Sequence, residues 1–353
     1  MDQLTANGVQ RVACMTSRTS SVLTVLAYHY VRDLERSRYP GIKGRTTSDF
    51  EGQLNYIQRH YNVVSVADVL AASRGERGLP DNPCALTFDD GLIDHFAVVL
   101  PRLVERGLTG VFFPSARPIR EDIVLDVHKL HFVLASCQNH ARLLEETRYL
   151  LVEYGRDNDV PSYQALCAEY HKPNRYDPGE TAFLKRLLQF ALPEAVRAPI
   201  VNELFQRHVS VDERTFSREL YMDTSQLRCL LSNGMELGGH GDRHDRIGLL
   251  PRERQTEELR ATHQFLQSID PKIAHNWIMC FPYGSFSADS LEIAAQLGCA
   301  AAVSVNPALV RLPIQREGNR APVLDRLDTN DLPLSADAAP SAWTTRDAQP
   351  NES

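Results

Sequence analysis

Short apolar runs of strand length recur along this chain. Each ends on residues that carry chemistry, and helical runs separate them. Residues 21–30 form the first such run and close on Ala27-Tyr28-His29-Tyr30. Residues 84–88 run into Asp89-Asp90-Gly91, residues 235–238 lead to His240, and residues 277–281 meet Pro282-Tyr283-Gly284. Residues 62–65, 109–113 and 300–305 supply further strands. Between them, Thr47–His60 places Phe50, Leu54 and Ile57 at helical spacing. Val66–Ser73, 96–106, 252–268 and 288–297 also read as helices, two of them stopped by Gly107 and Gly298. Strand and helix in alternation predict a mostly parallel sheet, open or closed into a barrel.

The rhythm breaks at residues 115–223, which read as mainly helical, with 143–154, 180–190 and Glu194–His208 as the clearest segments. The expected organisation is a flexible extension over 1–20, a β/α domain over 21–333 that carries this helical insertion, and a disordered, small and polar tail over 334–353. Met15 offers a second start. An apolar content of 43% with 24% charged residues is enough for a sizeable core. The net charge of −7 gives no basic excess for nucleic acid. No apolar run approaches the ~18 residues of a transmembrane segment. Seven cysteines without a Cys-x-x-Cys pair argue against a disulfide framework or a cysteine zinc cluster. Residues 1–20 lack a secretory signal, so a cytoplasmic protein is expected.

Three motifs carry the chemistry. Asp89 and Asp90 are adjacent carboxylates at a strand end, where neighbours point to opposite faces. One can hold a metal while the other takes a proton, although Asp-Asp-Gly is equally a turn or a helix cap. His240 and His244 stand four apart, a spacing that lets two imidazoles on one helical turn grip a divalent ion. Two surface loop histidines would look the same. Glycines flank His240 and let the backbone approach a ligand. Cys280-Phe281-Pro282-Tyr283-Gly284 makes a rigid turn that can aim a backbone N–H into a pocket, or simply turn. Together, one carboxylate and two histidines are a common ligand set for a hydrolytic metal that keeps a position for water. Strand ends are where β/α barrels build active sites.

TFDDG, GGHGDRH and FPYGSFSADSLEIAAQLG, in this order, resemble the polysaccharide deacetylase family, also called the NodB-homology domain or carbohydrate esterase family 4. LAYHYVRD, DVHKLHFVLA, FSRELYM and LDRLDTNDLP are similar to a branch of it found among bacterial surface-polysaccharide biosynthesis proteins. The resemblance spans residues 22–333. It implies a distorted (β/α) barrel with the helical insertion outside the common core. It assigns Asp89 as general base and Asp90, His240 and His244 as metal ligands. The ion is expected to be Zn2+, with Co2+, Ni2+ or Mn2+ as alternatives. Tyr283 is assigned an oxyanion-hole N–H, with Pro282 beside it against the substrate.

Two departures stand out. Cys280 replaces the arginine that steadies the family's base, and Arg326 is the candidate to supply that charge from another strand end. The family's late Leu-x-x-His, whose histidine is the general acid, has no counterpart, and no histidine follows His275. His131 is the candidate acid brought by the insertion, with His128 and His29 as substrate-pocket residues. The expected reaction is metal-dependent removal of an N-acetyl or N-formyl group from an amino sugar, nucleotide- or lipid-linked, in O-antigen or capsule biosynthesis. An amidohydrolase acting on a small non-sugar amide and a non-catalytic carbohydrate-binding relative are the alternatives.

Overall fold

The computed structural model describes residues 22–174 and 177–346; the extension expected over 1–20 lies outside them. The strands are β1 (Val22–Tyr28), β2 (Asn62–Val63), β3 (Pro83–Asp90), β4 (Val111–Pro114), β5 (Glu236–Leu237), β6 (Trp277–Cys280), β7 (Cys299–Val303), β8 (Val310–Arg311), β9 (Val323–Leu324) and β10 (Leu327–Asp328). One sheet runs β10-β1-β3-β4-β5 with every pair parallel, and β2 joins the start of β3. β8 lies antiparallel on β1. A second parallel sheet runs β6-β7-β9. A parallel bridge from Gly239 to Met279 joins the sheets on one side. On the other, only Asp325 and Arg326 separate β9 from β10. The result is the expected distorted barrel, closed by short hops where full strands are missing.

β3 is buried along its whole length. Its Phe88 ring stacks between Tyr28 of β1, at 5.3 Å, and Phe112 of β4, at 4.7 Å. Burying a ring of this size stabilises by roughly 1.5–3 kcal/mol. This packing fixes the three strands side by side one residue before Asp89. Outside the barrel, Thr47–His60 forms as its periodicity predicts. Thr46 caps it by accepting from Asp49 N–H at 3.0 Å, and Phe50, Leu54 and Ile57 are buried.

The insertion packs around a core of its own, with Phe132, Leu143, Phe183, Ile200, Phe205 and Phe216 among its buried members. It contains helices the sequence pattern left unassigned, Tyr163–Tyr170 and Glu213–Leu220. The helix expected over 96–106 opens as a wide π turn, His95–Val99, before Leu100–Glu105. The tail after Pro333, expected to be disordered, packs as far as Arg346. Thr344 Oγ1 meets the hydroxyls of Tyr56 at 2.7 Å and Tyr61 at 2.8 Å, and Trp343 lies on the core. A small polar composition hides this, because two partners in distant elements do the anchoring. No helix among the described residues is long and apolar enough to cross a membrane, and their six cysteines are free.

Candidate active site

β3 delivers Asp89 and Asp90 to opposite sides of its end, both almost fully buried. Asp89 faces the β9–β10 hop. Arg326 holds it bidentately, with Nη1 donating to Oδ1 at 2.8 Å and Nη2 to Oδ2 at 2.9 Å. Arg326 is itself fixed by donating from Nε to the Ser304 carbonyl at 2.8 Å and from Nη1 to Thr87 Oγ1 at 3.0 Å. Burial alone would raise the Asp89 pKa. The Arg326 charge outweighs it, with help from His29, and holds the carboxyl down to about 2. His29 Nε2 lies 3.7 Å from Asp89 Oδ2 on the open side, 48% exposed.

Asp90 faces the other way, at φ 77°. Its Oδ1 lies 3.3 Å from His240 Nε2 and 3.4 Å from His244 Nε2. Its Oδ2 accepts from His128 Nε2–H at 3.1 Å. The segment around His240 and His244 is a loop, not the helical turn that the four-residue spacing suggests. His244 itself takes φ 62°. Gly239 is needed for close approach, though not to a ligand: a Cβ there would stand 2.3 Å from Thr262 Cγ2. His240 Nδ1–H donates to the Cys280 carbonyl at 2.8 Å, which turns Nε2 inward. Tyr283, at φ 58°, sets its ring edge against His244 at 4.8 Å. Left-handed backbone at a non-glycine residue costs roughly 1–3 kcal/mol, and three such residues converge here.

The trio fits a divalent metal ion. Asp90 Oδ1 is buried without a hydrogen-bond donor. Its distances to the two imidazole nitrogens match neighbouring donors on a tetrahedral ion, about 3.4 Å apart for bonds of about 2.0–2.1 Å. Asp89, His240 and Cys280 also cluster tightly enough for a metal. That set is spent, because Asp89 is clamped by Arg326, His240 Nδ1 is bonded to a carbonyl, and burial pushes the Cys280 thiol up.

Residues 200–302, which include both histidines and the Pro282-Tyr283-Gly284 turn, match the family model described as polysaccharide deacetylase. That segment is similar to a polysaccharide deacetylase domain. The chain has the fold of solved deacetylases. It is 14% identical to the deacetylase PplD of Streptococcus pyogenes, determined in complex with acetate, over 87% of this chain and 92% of that one, with a TM-score of 0.53. It is 16% identical to a de-N-acetylase from Aggregatibacter actinomycetemcomitans over 92% of this chain and 99% of that one, with a TM-score of 0.51. No curated protein matches the sequence.

The structure brings together Asp89, Asp90, His29, His128, His240, His244, Pro282, Tyr283 and Arg326. Cys280 is not an empty substitution: its carbonyl orients His240, and its Sγ lies 3.2 Å from Arg326 and 3.4 Å from Asp89. His128 differs from its expected place at the substrate. It is fully buried, and Nδ1 accepts from the Tyr221 hydroxyl at 2.6 Å while Nε2–H serves Asp90, so no ring nitrogen is left for a ligand. His131 is not brought to the carboxylate pair. It faces Tyr30 and a separate cavity with Lys43, Asp177 and Lys185, and burial holds its pKa well below the usual histidine range.

Sequence reasoning passed over Tyr221, Thr87, Asp94 and His95. Asp94 Oδ2 accepts from Val31 N–H and Arg32 Nε, and His95 Nε2–H donates to the His29 carbonyl at 3.0 Å, so both pin the loop that carries His29. Their only sequence signal was proximity to Asp89-Asp90-Gly91.

Proposed function

We propose that this chain is a metal-dependent carbohydrate N-deacylase that removes an acetyl or formyl group from an amino sugar, nucleotide- or lipid-linked, in bacterial surface-polysaccharide assembly. The observation that supports it most is the Asp90–His240–His244 trio beside a carboxylate that Arg326 keeps ionised. Asp90, His240 and His244 would hold a divalent ion, Zn2+ in the first instance, which would supply Lewis-acid polarisation of the acyl carbonyl and acidify water. Asp89, ionised at neutral pH, takes the proton of the attacking water. The Tyr283 N–H serves the developing oxyanion, the kind of preorganised donor that usually contributes most. His29 then protonates the departing amine, since among the described residues it is the one imidazole within 4 Å of Asp89. Pro282 fixes the turn that presents Tyr283.

A screen of N-acetyl and N-formyl amino sugars, with acetate and formate quantified, tests the reading. Metal-dependent release of either acid from an amino sugar is expected. Release only from non-sugar amides, or sugar binding without release by the metal-loaded protein, contradicts it.

A further inference from the structure

A cavity of about 280 Å3 opens off His244 and Tyr283. The barrel supplies one wall, around Arg243–Arg246. The helical insertion supplies the other, including Asp126, Phe190, Glu194 and Arg197. Two cations on these walls have no carboxylate within 4.0 Å among the described residues, Arg246 and Arg197. The Nε of each is buried without a hydrogen-bond partner. Arg246 is held between two aromatic faces, 4.4 Å from the Tyr283 centroid and 4.8 Å from that of Phe190. Arg197 donates from Nη1 to the Gln189 carbonyl at 2.9 Å. By contrast, Arg117 and Arg254 on the same cavity are neutralised by Glu121 and Glu257.

A half-buried guanidinium with no carboxylate in contact gains from a ligand that supplies an anion, and the acids that Arg197 feels, Asp126 and Asp245, stand beyond ion-pair distance. Two such groups beside the site of deacylation suit an anion with more oxygens than a single carboxylate offers, because each planar fork can engage its own pair. The cavity is also at or below the small end of ligand pockets, about 300–1,000 Å3. Walled on two sides, it admits one sugar unit more readily than the interior of a polymer. Its acids, Asp126, Glu194 and Asp245, are acceptors for sugar hydroxyls. Phe190 and Leu249, 42% and 76% exposed, form an apolar rim.

We propose that Arg246 and Arg197 bind the phosphate of a glycosyl-phosphate-linked amino sugar, with the group beyond the phosphate, nucleoside or isoprenoid, lying on the Phe190–Leu249 rim. This rests on the deacylase reading and names its substrate class.

Calorimetry on the metal-loaded full chain tests it with four probes: N-acetylglucosamine 1-phosphate, the neutral methyl glycoside, UDP-N-acetylglucosamine, and farnesyl-diphosphate-linked N-acetylglucosamine. The 1-phosphate is expected to bind at least about tenfold more tightly than the methyl glycoside. R246A and R197A should each erase most of that preference, while R246K, which keeps the charge without the planar fork, keeps part of it. The tighter of the two diphosphate probes identifies the group on the rim. Equal affinity for the 1-phosphate and the methyl glycoside overturns the proposal. So does a preference unchanged in R246A. If R246A fails to fold, an R246K preference equal to that of the wild type overturns it. Acyl release, read on the same samples, separates the two claims. Release without phosphate preference removes this subsite alone. Phosphate preference without release or bound metal removes the deacylase reading and leaves the subsite.

Discussion

Asp89 and Asp90 are neighbours with opposite surroundings, and the difference predicts different losses. Asp89→Asn removes proton acceptance but leaves the trio intact. It should keep bound metal while kcat falls about 10²–10⁴-fold. Asp90→Asn should lose metal as well, and equal metal loss in both variants would show that the roles are misassigned. Arg326 carries a pH prediction. Asp89 works only when ionised, so activity falls as pH drops through its pKa. With Arg326 in place that pKa is about 2, below the usual assay range. In Arg326→Gln burial is opposed only by the neighbouring histidines, so the pKa rises from its wild-type value and the acid limb of kcat/KM moves to higher pH. A pH–rate profile superimposable on the wild type would contradict the pairing. His29→Ala should lower kcat/KM about 10²–10⁴-fold with metal content unchanged; near-normal turnover would move the proton donor elsewhere.

At the scale of elements, the insertion reaches the candidate metal site through Asp126–Ser136. That helix presents His128 to Asp90 Oδ2, with Tyr221, at the far end of the insertion, locking its tautomer. Partners of this kind are typically worth 10–100-fold in metal affinity. His128→Ala should therefore weaken metal binding by that factor, and His128→Gln, which can keep an N–H toward Asp90, should restore part of it. Identical affinities in all three proteins would make His128 mere packing. The strand-end motifs were legible in the sequence because an apolar run that stops on Asp-Asp or Pro-Tyr-Gly marks its own end. Thr47–His60 and Val66–Ser73 were legible because amphipathic periodicity and polar caps agree. β8, β9 and β10 were not, since two-residue strands leave no pattern and exist only through pairing with β1 and β7. The orientation of His128 was equally hidden, because its partners lie 38 and 93 residues away.

Across the whole molecule, a segment that sequence composition marks as dispensable packs on the barrel domain. The segment after Pro333 bridges Tyr56 and Tyr61 through Thr344 and lays Trp343 on the core. Deleting residues 334–353 should lower Tm by roughly 5 °C or more, on the basis of about 2–4 °C per kcal/mol for a domain of 150–250 residues. An unchanged Tm would show that the packing contributes nothing. Arg326 was legible as a candidate because Cys280 leaves the base without the arginine expected beside it, but its clamp on Asp89 depends on the barrel closing through β9 and β10.

The central claim is that Asp90, His240 and His244 hold a catalytic ion, and elemental analysis of the purified full chain beside His240→Ala and His244→Ala tests it most directly. About one divalent ion per wild-type chain is expected and little or none in either variant, with acyl release lost in step. A full complement of metal in both single variants, or undiminished acyl release from wild-type protein stripped of metal, would contradict it.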